Sequence, residues 1–226
     1  NNYGASNAFS SGLYYRLYFT ITLCNFFLEQ TTDDDPETAM QRAEVRYIRA
    51  YNYYYIMDLY GNAAFMTTVS SELAPRYERK QFFEFVESEL LEIEPLLANP
   101  GQNTYGRADK AAAWMLLSRL YLNAEVYTGT AQWQNALTYA EKVINNGYYK
   151  LNTTGATNPS TGEKYSAYQM LFLADNNETS AKYEAILPVL NDGVTTSSYG
   201  GMNFLILSTY AATMDADIPS GTDCSW

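Results

Sequence analysis

The sequence predicts a mainly α-helical protein made of tetratricopeptide-like helical hairpins, with a loop-rich C-terminal portion. Two observations support this fold class: apolar residues recur at helical spacing through the first two thirds of the chain, and a repeat signature recurs within that part. A third is that, after Tyr148, short apolar runs alternate with Asn, Gly, Ser and Thr segments. We therefore expect a helical region over residues 1–147 and a loop-rich region over 148–226 that is incomplete at its C-terminus.

Two helices are expected before residue 61. The aliphatic residues that outline the first one are Leu13, Leu17, Ile21 and Leu28. This first helix spans about residues 7–29, and its apolar run contains Cys24, which we expect to be a small buried thiol. The second helix begins at Asp35-Pro36, because Asp35 can accept hydrogen bonds from free amides and proline suits the first helical position. It ends at Gly61.

Three further helices complete the helical region. The third spans about residues 79–97, and the apolar residues on its inner face are Phe82, Val86, Leu90 and Ile93. Its carboxylates off that face are Glu84, Glu87 and Glu94. The fourth spans about 108–126, and the fifth spans 131–146 with Gly147 as its C-cap.

The fourth helix carries a repeat signature. Its large-Leu-small-Tyr residues are Trp114, Leu117, Ser118 and Tyr121, at positions i, i+3, i+4 and i+7. A looser copy, shifted back by 61 positions, comprises Tyr53, Ile56, Met57 and Tyr60. We therefore expect two hairpins, with the fourth and fifth helices antiparallel and side by side, and with Trp114 and Trp133 both largely buried. The first helix is expected to be half of another hairpin whose mate would precede Asn1.

Composition excludes several classes of function. The chain has 14 Lys and Arg against 25 Asp and Glu, a net charge of −11, and no basic cluster, so nucleic acid is excluded as the main partner. It has no His, which removes the usual general base and every His-activated nucleophile. No P-loop, zincin helix or Gly-x-Ser-x-Gly elbow is present. No catalytic residue and no metal ligand is therefore assigned.

Acidic clusters leave two alternatives open. Paired carboxylates on the third helix could serve a glycosidase, although a solvated helix face explains them better. The run Asp33-Asp34-Asp35 is better explained by helix capping than by calcium. The run Asp175-Asn176-Asn177-Glu178 has more oxygen ligands in a turn-like context, and a structural calcium ion there stays open. No other cofactor is expected.

Aromatic residues are the most unusual part of the composition, with 22 Tyr, 10 Phe and 3 Trp. The tyrosines of the second helix lie at core spacings and are expected to pack. Tyr199 differs, because it precedes Gly200-Gly201, and Trp226 ends a polar segment. Exposed rings on loops suit the C–H faces of sugars, and Asn203 could bond their hydroxyls. Ordinary loop packing is an equal alternative for these residues.

Several segments resemble the SusD/RagB family. They are Arg42–Ala50, the Tyr-rich run that ends Asp58-Leu59-Tyr60-Gly61, Gly106–Ala112, Arg119–Ala124, Ala140–Ile144, Phe172–Asn176, Glu184–Pro188 and Tyr199-Gly200-Gly201. Almost the whole chain is covered, and the starch-binding prototype of the family is the most similar. In that prototype, aromatic side chains stack on a curved malto-oligosaccharide. The resemblance places Tyr199 and, less closely, Trp226 among those glycan-binding residues.

The resemblance also implies a function, a location and a partner. Family members are outer-membrane lipoproteins on the cell surface of Gram-negative gut bacteria, and they are binding proteins, not enzymes. They pass glycans to a SusC-like TonB-dependent transporter. The implied function is capture of starch-type oligosaccharides, with membrane attachment only through a lipid anchor upstream of Asn1. A tetratricopeptide scaffold that binds a peptide is the first alternative, and a carboxylate-pair glycosidase is the second.

Overall fold

The computed structural model describes residues 7–173 and 175–190, apart from the side chain of Phe9. Its helices are α1 (Ala8–Gln30), α2 (Pro36–Tyr60), α3 (Arg79–Ile93), α4 (Lys110–Leu122), α5 (Ala124–Thr128) and α6 (Trp133–Ile144). Two antiparallel pairs of short strands accompany them: β1 (Ala63–Ala64) with β2 (Arg76–Tyr77), and β3 (Ala156–Thr157) with β4 (Lys164–Tyr165). The mainly helical fold class is confirmed.

The second helix begins and ends for the reasons its sequence indicates. The Asp35 side chain accepts a hydrogen bond from the amide of Thr38 at 2.9 Å, and Pro36 is the first helical residue. At the other end, Gly61 has φ = 76°, a conformation that glycine adopts without steric cost, and its amide donates to the Met57 carbonyl. The boundaries of α2 are therefore determined locally.

The helices pack as the repeat pattern predicts. Helix α2 packs against α3, and α4 packs against α6, so both predicted hairpins are present. Helix α1 also packs against α2. The centre of the core is aromatic: Tyr53 is fully buried and its ring lies against those of Phe82, Phe65 and Phe85 at 5.1 to 5.5 Å. Cys24, also buried, is unpaired among the described residues.

The prediction that both tryptophans of the second hairpin are largely buried is wrong for Trp133, which is 64% exposed. Trp133 is the first residue of α6 and faces away from α4, whereas Ala136 of α6 is buried. The large residue that α6 packs on α4 is Tyr139, whose ring stacks on Tyr121 at 5.7 Å. Trp114 is half-buried, with its indole N–H donating to Glu94 at 2.7 Å.

The largest difference from the predicted boundaries lies in the fourth helix. The helix expected over residues 108–126 is interrupted at Asn123, which separates α4 from α5. The Asn123 side chain donates to the Arg119 carbonyl, so it competes locally for the hydrogen bonds of the helix. Helix α5 then ends at Gly129, which has φ = 80°.

A buried ion network joins the first three helices. Glu89 of α3 accepts hydrogen bonds from Arg46 at 2.7 Å and from Arg49 at 2.9 Å, and both arginines belong to α2. Arg49 also donates to the side chain of Asn25 on α1 at 3.0 Å. Burial alone would raise the pKa of Glu89, but the hydrogen bonds from the two arginines outweigh it and hold that pKa below its ordinary value.

The loop before α4 is tied down by two carboxylates. Glu44 of α2 accepts from Arg107 and from Asn103, each at 2.8 Å. Asp109 caps α4 by accepting a hydrogen bond from the amide of Ala111. It also accepts from the amide of Gly101 at 2.9 Å and from the Tyr149 hydroxyl at 2.7 Å. These contacts attach the loop before α4 and the segment after α6 to the helical core.

Residues 148–173 and 175–187 follow the helices as loops, the strands β3 and β4 and short 3-10 turns. They belong to the same compact unit as the helices, which ends at Leu187. A second unit begins at Pro188, and only its residues 188–190 are described. Across residues 7–173 and 175–190, no helix combines the length and apolar character needed to cross a membrane.

Candidate functional site

The three residues predicted to contact a glycan, Tyr199, Asn203 and Trp226, lie outside the described residues. Their role stays a prediction. The structure does describe the helical part of the chain, where sequence patterns had assigned the aromatic residues to packing. A surface groove in that part provides a candidate site.

The groove lies where α1 begins and α2 ends. We call it the tyrosine groove, and it is lined by Ser10, Ser11, Tyr14, Tyr15 and Tyr60. Its volume is about 230 Å³. Because that is below the roughly 300 to 1,000 Å³ typical of pockets that enclose a drug-sized ligand, the groove suits part of an extended ligand rather than a whole one.

Hydrogen bonds and ring contacts fix the walls of this groove. Tyr60 is the last residue of α2, and its hydroxyl donates to the Ser10 carbonyl at 2.6 Å. The ring of Tyr14 meets the ring of Tyr60 edge to face, with centroids 5.1 Å apart. Tyr18 lies one turn further along α1, 4.6 Å from Tyr14, and its hydroxyl donates to the Ala64 carbonyl. The aromatic wall is therefore formed before any ligand arrives.

Tyr15 is the accessible ring of the groove. It is 72% exposed, and its ring lies at 83° to that of Tyr14 with centroids 6.2 Å apart. Tyr14 and Tyr15 differ in exposure because consecutive residues of a helix point about 100° apart. Tyr15 can therefore offer a ring face to a ligand while Tyr14 supports it from the side.

The chemistry of the tyrosine groove is neutral. Every lining side chain carries a hydroxyl, and none is a carboxylate, amine or imidazole. Burial raises the pKa of Tyr60 further above its usual value. The Ser10 and Ser11 hydroxyls donate to the Asn7 carbonyl and keep oxygen lone pairs as acceptors. Such a groove suits a neutral ligand that has both an apolar face and hydroxyl groups. Its lining contains no carboxylate, imidazole, amine or thiol, the groups that most often serve as general base or nucleophile.

Two of the three carboxylates considered for glycoside hydrolysis are held by neighbouring side chains. Glu94 accepts from the Trp114 indole and from Lys142, each at 2.7 Å. Burial raises the pKa of the Tyr121 phenol, and a hydrogen bond with Glu87 raises it further. Glu84 lies 3.9 Å from Lys80 on the exposed side of α3, where its carboxylate is open to solvent.

The groove expected for a peptide in the scaffold alternative is partly filled by the chain itself. Between α2 and α4 lies a space of about 150 Å³ lined by Tyr47, Tyr51 and Arg119, and Ile186 and Leu187 close it from the loop region. Both of these aliphatic residues pack on the core. A peptide there would compete with this segment.

The calcium alternative gains no ligand set. Among residues 7–173 and 175–190, no three His, Cys, Asp or Glu side chains come together as a metal site would need. The Asn176 amide group donates to the Leu171 carbonyl at 2.9 Å within a short 3-10 turn. Calcium binding at this turn stays a prediction.

The tyrosine groove was missed by the sequence interpretation, which treated α1 as core. The available signal was the doublet Tyr14-Tyr15, because two adjacent large residues cannot both face one side of a helix. Leu17 and Ile21 occupy the buried side of α1, so one of the two tyrosines had to be exposed.

Comparisons with known proteins agree with this fold. The profile of the SusD-like family, described as "Starch-binding associating with outer membrane", matches residues 1–122. The starch-binding protein SusD of Bacteroides thetaiotaomicron is 43% identical over 216 residues, which are 95% of this chain and 36% of that protein. The chain thus spans about a third of the length of this curated relative.

Solved structures show the same fold. A SusD-like protein from Bacteroides fragilis superposes with a TM-score of 0.64 at 23% identity, covering 84% of this chain and 35% of that one. A SusD superfamily protein from Parabacteroides distasonis gives 0.51 at 28% identity, covering 62% and 32%. Because the family profile matches more than half of the residues, this chain belongs to the SusD-like family.

Proposed function

We propose that this protein captures starch-type oligosaccharides by weak stacking and hydrogen bonding, without chemical change. The observation that carries the proposal is the neutral tyrosine groove, where the 72% exposed ring of Tyr15 lies beside serine hydroxyls. The 43% identity to a starch-binding protein supports glucan as the class of ligand. No cofactor is required for binding of this kind.

Three residues of the loop region are also proposed to contact glycan. Tyr199 and Trp226 are proposed to stack on it, as the family resemblance implies, and Asn203 is proposed to bond its hydroxyls through the side-chain amide. Stacking on each ring contributes about 0.5 to 1.5 kcal/mol by analogy with aromatic pairs. Because few platforms act together, the expected dissociation constant is about micromolar to millimolar.

The proposed setting is the cell surface of a Gram-negative gut bacterium. The family description associates its members with the outer membrane. We propose that a lipid anchor in a segment upstream of Asn1 attaches the protein there, and that a SusC-like TonB-dependent transporter receives the bound glycan. The net charge of −11 supports attachment by a lipid rather than by contact with anionic headgroups.

Replacing the exposed ring tests the site. Tyr15→Ala is expected to weaken maltoheptaose binding about three- to tenfold, the equivalent of one stacking contact. Tyr199→Ala and Trp226→Ala are expected to weaken it about tenfold or more. The melting temperature of Tyr15→Ala should stay near that of the parent because the ring is largely in water. Isothermal calorimetry and thermal unfolding of the full chain measure both quantities.

Tyr168→Ala is the matched control, since Tyr168 is 69% exposed and lies outside the tyrosine groove. It should bind maltoheptaose like the parent. If Tyr15→Ala and the control bind equally well, the groove does not contact glucan.

A further inference from the structure

We infer that the protein has a second saccharide site, in a groove between the β1–β2 pair and α3. The inference rests on the proposed function, because it assigns the same class of ligand to a new place. This strand groove has a volume of about 420 Å³ and shares no lining residue with the tyrosine groove. Three rings form its wall, Phe65, Tyr77 and Phe85, and four polar residues surround them, Thr67, Gln81, Glu84 and Ser88.

The rings make one continuous apolar wall. Phe65 and Tyr77 stack almost parallel, with centroids 4.0 Å apart and planes at 9°. Phe85 meets Phe65 edge to face at 4.7 Å. All three rings are half-buried, so each packs on the core and still presents surface to the groove. Since Phe65 and Tyr77 cover one face of each other, a hexose would contact the ring surface that remains accessible with its C–H groups.

The polar side chains offer both donors and acceptors. The Gln81 oxygen accepts from the Glu78 amide at 2.9 Å in the capping box of α3, which leaves its two amide hydrogens as donors. Ser88 donates to the Phe85 carbonyl at 3.0 Å, which leaves its oxygen as an acceptor. The carboxylate of Glu84 is an exposed acceptor whose nearest cation, Lys80, is 3.9 Å away. Sugar hydroxyls both donate and accept, so they suit this set.

Buried hydrogen bonds hold the wall in place. The Tyr53 hydroxyl donates to the Met66 carbonyl at 2.6 Å and accepts from the Met66 amide at 2.9 Å. The amide of Asn25 donates to the same carbonyl at 3.2 Å, and the Phe65 amide donates to the Pro75 carbonyl at 2.8 Å. A ligand would therefore not have to order this segment, and a preformed wall lowers the entropic cost of binding.

Ring geometry favours a sugar over a cationic side chain. Cages for organic cations place several ring faces around one point. Here Phe65 and Tyr77 turn faces toward each other, so these two rings form a wall and not an enclosure. The single carboxylate, Glu84, then acts as a hydroxyl acceptor at the edge of the wall.

The experiment counts bound maltoheptaose by equilibrium dialysis with the full chain. We expect two molecules per chain in the parent and one in Ser88→Trp, in which the indole fills the groove. Glu84→Ala should weaken the second site about tenfold, and Tyr15→Ala should leave that site intact. The matched controls on the exposed side of α6 are Gln134→Trp and Glu141→Ala, which should bind two molecules.

The outcomes separate the two proposals. No maltoheptaose bound by the parent would overturn the proposed function together with this inference. One molecule per chain, unchanged in Ser88→Trp and Glu84→Ala, would overturn the second site alone. A third outcome would also reject the inference. The parent would bind Nα-acetyl-arginine amide and no second maltoheptaose, and Ser88→Trp would lose the binding of the amide. The strand groove would then be a site for a cation and not for a sugar.

Discussion

Replacing Glu89 by Ala is expected to lower the free energy of unfolding by about 3 to 5 kcal/mol, as is usual when one partner of a buried ion pair is removed. Glu89 is the shared acceptor of Arg46 and Arg49, and its side chain is only 10% exposed. Without it, Arg49, whose side chain is 8% exposed, keeps a buried charge with no carboxylate partner. Urea unfolding of the parent and the variant measures the difference.

Glu92→Ala is the matched control for this prediction. Glu92 also pairs with Arg46, but its side chain is 64% exposed, so its loss should cost less than about 1 kcal/mol. Equal costs for the two variants would show that burial of Glu89 does not determine its contribution.

The same carboxylate predicts how stability depends on pH. The pKa of Glu89 is lower in the folded chain than its ordinary value. Its contribution is therefore fully present above the pKa of the unfolded chain, about 4.3, and is lost as the pH falls through the lower folded value. Between pH 4.5 and 3 the parent should lose more stability than Glu89→Ala does.

Removing the Tyr53 ring is expected to cost about 3 to 5 kcal/mol, the usual range for a large buried aromatic residue. Its ring contacts Phe65, Phe82 and Phe85, and its hydroxyl makes both hydrogen bonds to Met66. Tyr53→Phe keeps the ring but removes the hydroxyl. The Met66 amide then loses its partner, and the Met66 carbonyl keeps only the hydrogen bond from Asn25. This variant should cost about 1 to 3 kcal/mol. Thermal and urea unfolding compare the two variants.

An equal cost for Tyr53→Ala and Tyr53→Phe would contradict the role given to the ring. A negligible cost for Tyr53→Phe would show that water replaces the hydroxyl without loss. In that case the segment around Met66 would not depend on Tyr53 for its position.

Local signals predicted most of the helical architecture. The cap at Asp35, the glycine at 61 and the apolar spacing of α3 each depend on residues close in sequence, and each was found where expected. The exposure of Trp133 could not be predicted from neighbouring residues, because it depends on how α6 is rotated about its axis relative to α4. A repeat signature fixes which helices pair, whereas the packing of Tyr139 on Tyr121 fixes that rotation.

The residues that carry the family resemblance in α2 are structural. Arg42 donates to the Leu28 carbonyl at 2.8 Å, in the last turn of α1. Arg46 and Arg49 form the buried network with Glu89. Glu44 holds the loop before α4. The strongest motif of the sequence therefore holds α1, α2, α3 and the loop before α4 together.

Both candidate grooves depend on contacts that sequence spacing does not reveal. The tyrosine groove combines Tyr60 with Ser10, 50 positions apart, and the strand groove needs the pairing of Ala63 with Tyr77. Composition indicated only that the chain has more aromatic rings than packing requires. Which rings face solvent is decided by the way the helices and the strand pair meet.

Isothermal calorimetry of maltoheptaose with the full chain, followed by a reducing-sugar assay of the same mixture, distinguishes binding from hydrolysis. We expect saturable binding with a dissociation constant of about micromolar to millimolar, little change between pH 6 and 8, and no release of reducing sugar. The flat pH response is expected because the tyrosine groove is lined by serine and tyrosine hydroxyls and by no carboxylate or imidazole. Absence of binding, or sustained cleavage of the oligosaccharide by pure protein, would contradict the proposed function.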